Sequence, residues 1–328
     1  RLDMFLYSRG GGVEVPWRIV SMVREFYEEF AVLIPYKAHS AATMIALGGD
    51  KILMGPKGEL GPIDPATTLM REVTGPQHME RVQESVNIED VMSFVSFLKD
   101  RAGLTDQAAI SSAVNILATK LQPWAIGGIY RTHSHINLVA RKLMDSRKVK
   151  VEESKAASTV KALVEEIYLH GHAIARKEAA GLGLPIDEKP DKTIEELMWR
   201  LYLEYEEKLQ LRTPIDPNTY VAQDQDQRSE QHDIACIESR AGLHIYGGTL
   251  RGLVTRQMPG QINLTVNLNL PPLPPAIQSS PETMQQLQNM LSQVQQTISQ
   301  QVMAQLRAQA PIQKREFRLD DGFWKKVV

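Results

Sequence analysis

Ser40 follows the buried run Ala31-Val32-Leu33-Ile34 and opens a short apolar helix, Ala41 to Leu47, which Gly48-Gly49 closes. A hydroxyl at a strand-to-helix turn lies near convergent backbone N–H groups and the positive end of a helix dipole, so it suits a nucleophile. Gly-x-Ser-x-Gly is absent, and a serine in this place also serves as a plain N-cap. A second strand, Asp3 to Tyr7, ends in the glycine turn Ser8-Arg9-Gly10-Gly11-Gly12, which exposes backbone N–H groups. The Gly11 N–H paired with the Ala41 N–H would make an oxyanion hole. A phosphate-binding turn, or a tight turn without chemistry, uses the same glycines. With neither Gly-Lys-Ser/Thr nor Gly-x-Gly-x-x-Gly present, nucleotide binding is the poorer fit.

Asp64 stands between Ile63 and Pro65, with Pro62 just upstream. Proline fixes its own φ and drives the residue before it to extended dihedrals, so this carboxylate is held by stiff backbone. Such rigidity suits an acid that orients a base; an ordinary Asp-Pro turn uses it too. His170-Gly171-His172 ends one helical pattern and precedes another, so it offers either a general base on a loosened turn or imidazoles complementing a helix dipole. His39 adjoins Ser40 and is expected to point away from the hydroxyl. His133 and His135 would share one face of an extended segment, but no third ligand is near in sequence, and no metal is expected.

These residues sit on a recognisable frame. Tyr7, Ile34 and Met54 end short apolar runs, and helical patterns separate them: Trp17, Val20, Val23 and Phe26 recur at helical spacing behind Pro16. The order is β-α-β-α-β, which implies a parallel sheet with right-handed crossovers and sites at the carboxyl ends of its strands. From Ala66 to Leu211 the pattern reads as mostly helical, with candidates at Glu89 to Leu98, Asp106 to Lys120, Ile136 to Met144, Ser158 to Leu169 and Thr193 to Leu211. Residues 213–233 read as a polar linker, on the strength of Gln223 to Gln231. Beyond it, Gln261 to Leu270 alternates as a half-buried strand, and Ile245-Tyr246 and Leu250 to Val254 suggest strand partners. After the stiff spacer Pro271 to Pro275, a Gln-rich helix places Met284, Leu287, Leu291, Val294 and Ile298 on one stripe that continues to Val302 and Leu306. That gives a domain over 1–212, a linker, and a C-terminal region over 234–328.

Composition narrows the function classes. Thirty-seven Lys and Arg against 39 Asp and Glu give a net charge of −2 over 328 residues, which argues against a nucleic-acid backbone as the main partner. The lone Cys236 excludes an intramolecular disulfide framework and a Cys-rich zinc site. No apolar run approaches a membrane span, and no signal-peptide pattern is present, although missing targeting signals say little about the native N-terminus; the location expected is cytoplasmic. The chain opens at Arg1 in mid-strand, from which an upstream segment is expected.

Several of these motifs together resemble the serine dehydrogenase proteinase family, a branch of the ClpP/crotonase superfamily related to signal peptide peptidase A. The resemblance is carried by Ala38-His39-Ser40-Ala41-Ala42-Thr43, Ala46-Leu47-Gly48-Gly49-Asp50-Lys51-Ile52, Met54-Gly55-Pro56 and Glu59-Leu60-Gly61-Pro62-Ile63-Asp64-Pro65. Ser8-Arg9-Gly10-Gly11 stands where the superfamily usually has Ser-Pro-Gly-Gly. It extends to His170–Ile174 and Glu178–Leu184, where His172-Ala173 replaces Tyr-Pro, and covers about Leu2 to Pro185. It implies an α/β spiral fold of the ClpP/crotonase type and a serine endopeptidase with Ser40 as nucleophile, Asp64 as orienting acid and His170 as base. Gly11 and Ala41 would supply the oxyanion donors, with no cofactor and no metal. It further implies peptide or protein substrates, a homo-oligomer, and a separate unfoldase partner for any motor, since this chain carries no ATPase motif. A crotonase-type acyl-CoA enzyme without a serine nucleophile, and a catalytically silent scaffold of the same fold, remain open at this point.

Overall fold

Phe30 to Ile34 and Ile52 to Met54 carry no polar interruption, as strands buried on both faces require. The computed structural model describes residues 1–63, 66–74, 79–121, 123–167, 169, 171–213, 215–216, 218–222, 225–257 and 281–327; the side chains of 66–74, 79–89, 92, 120, 281 and 283 lie outside the description. The chain is mixed α/β, with parallel and antiparallel sheets. It divides into two units, Arg1–Glu204 and Tyr205–Val328.

The first unit begins with β1 (Leu2–Phe5), α1 (Val15–Phe26), β2 (Phe30–Ile34), β3 (Lys37–Ala38), α2 (Ala41–Leu47), β4 (Lys51–Met54) and β5 (Glu59–Leu60). β1, β2 and β4 form a parallel sheet in the order β1-β2-β4, with Met4 opposite Val32 and Val32 opposite Ile52. The hairpin β6 (Ala66–Thr74) and β7 (Met79–Asn87) follows, then α3 (Ile88–Ser96), α4 (Gln107–Lys120), α5 (Pro123–Asp145) and α6 (Glu153–Lys161). β8 (Ile174–Ala175), α7 (Arg176–Gly181) and α8 (Lys192–Lys208), which runs across the boundary at Glu204, follow. Val32, Ile34, Met44, Leu47, Ile52 and Met54 are buried with Ile136 and Leu143 of α5. Each such side chain contributes roughly 1.5–3 kcal/mol of burial.

Every residue of α2 is buried, so this helix is a core element rather than an amphipathic one. Just past its carboxyl end, where Arg24 donates to Gly48 O at 2.8 Å, stands Asp50, whose carboxylate takes two hydrogen bonds from Arg24 (2.8 and 3.0 Å), one from the Phe30 N–H (2.8 Å) and one from the Lys148 N–H (2.6 Å). Burial pushes the Asp50 carboxyl up, but the bonds from Arg24, Lys148 and Phe30 together outweigh it and leave its pKa below the ordinary value. A depressed folded pKa adds stability above the unfolded value of about 3.9, and that stability is lost as pH falls through the folded value. Asp50→Asn is expected to cost about 1.5–3 kcal/mol at neutral pH. In thermal unfolding across pH, its gap from the unmodified chain should narrow as the pH drops below about 4.

The second unit holds β9 (Gln227–Ser239), β10 (Gly242–Arg256), α9 (Pro281–Gln309) and β11 (Ile312–Lys326). The three strands form an antiparallel sheet with β10 central. Tyr220, Val221 and Val254 pack there with Leu250, Ile312 and Phe317. Gly252 admits the Tyr220 ring, whose Cδ1 would lie 2.7 Å from a Cβ at that position.

Several expectations need correcting. The stretch after Ala66 begins with an antiparallel hairpin, not a helix. Gln227 to Gln231, read as linker because it is polar throughout, is the start of β9. That part of the strand is exposed on both faces, so no apolar alternation marks it. His133 and His135 lie on α5, where residues two apart do not share a face, and His133 faces Glu165 at 3.5 Å. The expected strand Gln261 to Leu270 lies outside the described residues. No helix among the described residues is long and apolar enough to cross a membrane.

Candidate active site

β3 is only two residues long, yet it decides where Ser40 goes. It is held from both sides: the Ser8 N–H donates to Lys37 O (2.9 Å), the His39 N–H donates to Ser8 O (3.0 Å), and Ala38 pairs in parallel with Leu60 of β5. The glycine turn after β1 is therefore stitched to the backbone that leads into Ser40. Ser8 also shapes the turn itself, since its Oγ accepts the Gly10 N–H at 3.1 Å. Gly10 has φ of 120°, and a Cβ there would lie 3.2 Å from the Ser40 Cβ and 3.4 Å from His39 O. Both the backbone angle and the close approach call for glycine.

Ser40 has φ 51° and ψ −113°, a combination that L-residues rarely adopt, and its hydroxyl makes no capping bond to α2. Strain of this kind costs on the order of 1–3 kcal/mol and persists only where the surroundings enforce it. An N-cap needs neither feature: capping residues take ordinary extended dihedrals and bond the helix N–H groups. Ser40 is half-buried and Gly11 is exposed, so solvent reaches both. Neither the Gly11 N–H nor the Ala41 N–H donates to a partner among the described residues.

Thr43, which sequence reasoning does not single out, ties the turn down from inside. It is fully buried, its Oγ1 lies 2.8 Å from Ala38 O and 2.7 Å from Gly61 O, and it accepts the Gly61 N–H at 3.2 Å. One hydroxyl thus joins α2, β3 and the strand end that leads to Asp64. A lone threonine inside an otherwise apolar seven-residue helix was the available signal. His39 turns to β5, where its Nε2 lies 3.0 Å from Glu59 Oε1, beside Lys37 at 3.4 Å from the same oxygen. A Cβ on Gly61 would come within 2.9 Å of the His39 ring, so that position also admits only a small residue.

Asp64 and His170 lie outside the described residues, but the backbone just before Asp64 and on both sides of His170 is described. The Ile63 N–H, one residue before Asp64, donates to Leu163 O at 2.9 Å. Leu163 belongs to a π-helical segment, Ala162–Glu166, that continues α6 toward His170. Such segments are frequent at functional sites. On the far side of His170, Ile174 of β8 pairs with Leu60 of β5. The loop bearing His170 is thus clamped at both ends to the same stretch, Leu60 to Ile63, that precedes Asp64 and lies beside Ala38. His172 is partly exposed, with its Nε2 2.8 Å from Glu178 Oε1 on α7. No group of three or more His, Cys, Asp or Glu among the described residues is arranged to hold a metal.

Comparison with known proteins adds distant relatives. No family model matches the chain. No solved structure matches it significantly. Over 197 residues, 60% of its length, the chain is 26% identical to "Uncharacterized protein MJ0137" of Methanocaldococcus jannaschii, of which it covers 57%. Over 64 residues, 20% of its length, it is 31% identical to "Uncharacterized protein MJ1495" of the same organism, of which it covers 22%. The chain is thus similar to archaeal proteins and spans little more than half the length of the first, 57%, and about a fifth of the second, 22%.

Proposed function

We propose that this protein is a serine hydrolase, and within that class a serine endopeptidase resembling the serine dehydrogenase proteinases, on a ClpP/crotonase-like spiral fold. The single observation that carries the reading is Ser40: a strained, uncapped serine at a strand-to-helix turn, packed against a glycine turn. The parallel order β1-β2-β4, with both turns beyond the carboxyl ends of β1 and β2, supports the fold assignment.

In this mechanism Ser40 Oγ attacks the scissile carbonyl carbon while its proton passes to His170, oriented by Asp64. The carbonyl oxygen becomes the oxyanion and is held by the Gly11 and Ala41 N–H groups, each worth about 2.7–4 kcal/mol of transition-state stabilisation. His170 then protonates the leaving amine as the C–N bond breaks, and water hydrolyses the acyl-Ser40 ester. The order Ser, Asp, His along the chain is no obstacle, because the triad is defined by geometry. A p-nitrophenyl ester assay tests the reading. An initial burst of nitrophenol equal to the chain concentration, followed by slower turnover, is expected of an acyl-enzyme. A crotonase-type acyl-CoA enzyme would give no burst, and a silent scaffold would give no turnover.

The reading includes a homo-oligomer through the ClpP-like domain and α9, with a second copy as the expected partner of that helix. Met284, Leu287, Leu291, Val294, Ile298, Val302 and Leu306 run along α9, and none of them is buried. Pairing would remove this stripe from water, at roughly 1.5–3 kcal/mol for each fully buried position. Deleting Pro281 to Pro311 should lower the particle mass measured by light scattering beyond the loss of the segment itself. An unchanged number of subunits would remove α9 from the assembly.

A further inference from the structure

At the opposite end of α2 from Ser40, about 10 Å away for seven residues at the α-helical rise, the first unit has a cavity of about 370 Å³ that opens to solvent. Asp50, Arg147, Lys150, Glu152, Lys155 and Gly183 are among its lining residues. The size suits a small molecule rather than a single ion.

Arg147 is the unusual member. It is only 4% exposed, and among the described residues it donates one hydrogen bond, from Nε to Leu47 O at 2.7 Å. Its Nη2 is buried with no partner among the described residues. Burial lowers the guanidinium pKa to about 10, with attraction to Asp50 offsetting part of the effect and repulsion from Arg24 adding to it, so it stays charged at neutral pH. Asp50 does not satisfy it: that carboxylate is bonded to Arg24, Phe30 and Lys148. A buried, charged donor without a partner is costly and calls for an acceptor.

The remaining lining residues point to the sign and kind of that acceptor. Lys155 forms no ion pair among the described residues, and its stem crosses Gly183, where a Cβ would lie 2.9 Å from the Lys155 Cε. α6 starts at the cavity; the Glu152 side chain makes no capping bond to it, and the carboxylate of Glu153 in its first turn is paired with Arg141. Of the two carboxylates, Asp50 is neutralised by Arg24, and Glu152 accepts the Ser154 hydroxyl at 2.6 Å. The three cations Arg147, Lys150 and Lys155 thus outnumber the two carboxylates, which favours an anion, and a guanidinium suits forked acceptor oxygens.

We propose that this cavity binds the phosphate group of a small phosphorylated molecule, with Arg147 as the buried anchor and Lys155 and the start of α6 as the outer contacts. The site stands independently of the hydrolase reading, since none of its groups belongs to the Ser40 constellation.

Calorimetric titration of the full chain at low ionic strength and neutral pH tests it, with glycerol 3-phosphate, inorganic phosphate and acetate as probes. Glycerol 3-phosphate is expected to bind with a Kd below about 1 mM, and Lys155→Met to weaken it about fivefold or more. Arg147→Lys, which keeps the charge but loses the fork, should weaken it at least about tenfold. Since Arg147 also bonds α2, the exposed Lys155 variant keeps the test valid if the Arg147 variant fails to fold. Tighter binding of the ester than of inorganic phosphate would identify a metabolite; equal binding would identify free phosphate as the source of the same chemistry. No binding of either phosphate, equal affinity for acetate, or an unchanged Kd in Lys155→Met would overturn the proposal.

Discussion

Ser40→Ala is expected to lower kcat for peptide or ester hydrolysis by about 10⁴–10⁶-fold, the scale set by losing the nucleophile from a triad that acts as a unit. The same variant should unfold at nearly the same temperature, because alanine inherits φ 51° and the hydroxyl caps nothing. Ser40→Gly separates chemistry from strain. Glycine takes this backbone conformation without a Cβ penalty, so up to about 1–3 kcal/mol of strain is released, offset by its own entropy cost of roughly 0.5–1 kcal/mol. It should be as inactive as Ser40→Ala but more resistant to denaturant. An active Ser40→Ala, or a Ser40→Gly clearly less stable than the alanine variant, would contradict the assignment of a strained nucleophile.

The paired histidines give the second large effect. His170→Ala should lower kcat by about 10⁴-fold or more, since the nucleophile then has no base. His172→Ala should leave kcat within about threefold, because the His172 ring is paired with Glu178 on the exposed start of α7 and its loss removes a surface pair. Steady-state kinetics on the two variants decides between them. The reverse pattern would move the base two residues along the loop and leave the serine chemistry standing.

How much of this was legible in the sequence depends on burial. β1, α1, β2, α2 and β4 could be read because their apolar residues are buried together in one core and so keep an unbroken pattern. The first five residues of β9 and much of β11 face solvent, so their sequences alternate weakly, and the pairing to β10 that makes them strands is long-range. Phe317 and Leu319, two apart near the middle of β11, were the faint signal there. At the candidate site, the position of Ser40 between strand and helix was readable, but its backbone conformation was not. Nothing local announces it, because the constraint comes from Gly10, Thr43 and the Ser8–Ala38 bridge. The Arg147 anchor was invisible for a similar reason, as it lies 100 residues from the carbonyl it holds.

Labelling with a fluorophosphonate probe tests the central claim most directly. Such a probe phosphonylates a serine only where a base and an oxyanion hole activate it. The tryptic peptide Ala38 to Lys51 contains Ser40 as its one serine, so mass spectrometry assigns the site without ambiguity. The account predicts stoichiometric modification of that peptide at Ser40, abolished in Ser40→Ala and strongly slowed in His170→Ala. An unlabelled chain, beside trypsin labelled in the same tube, or a label on any other serine, would contradict it.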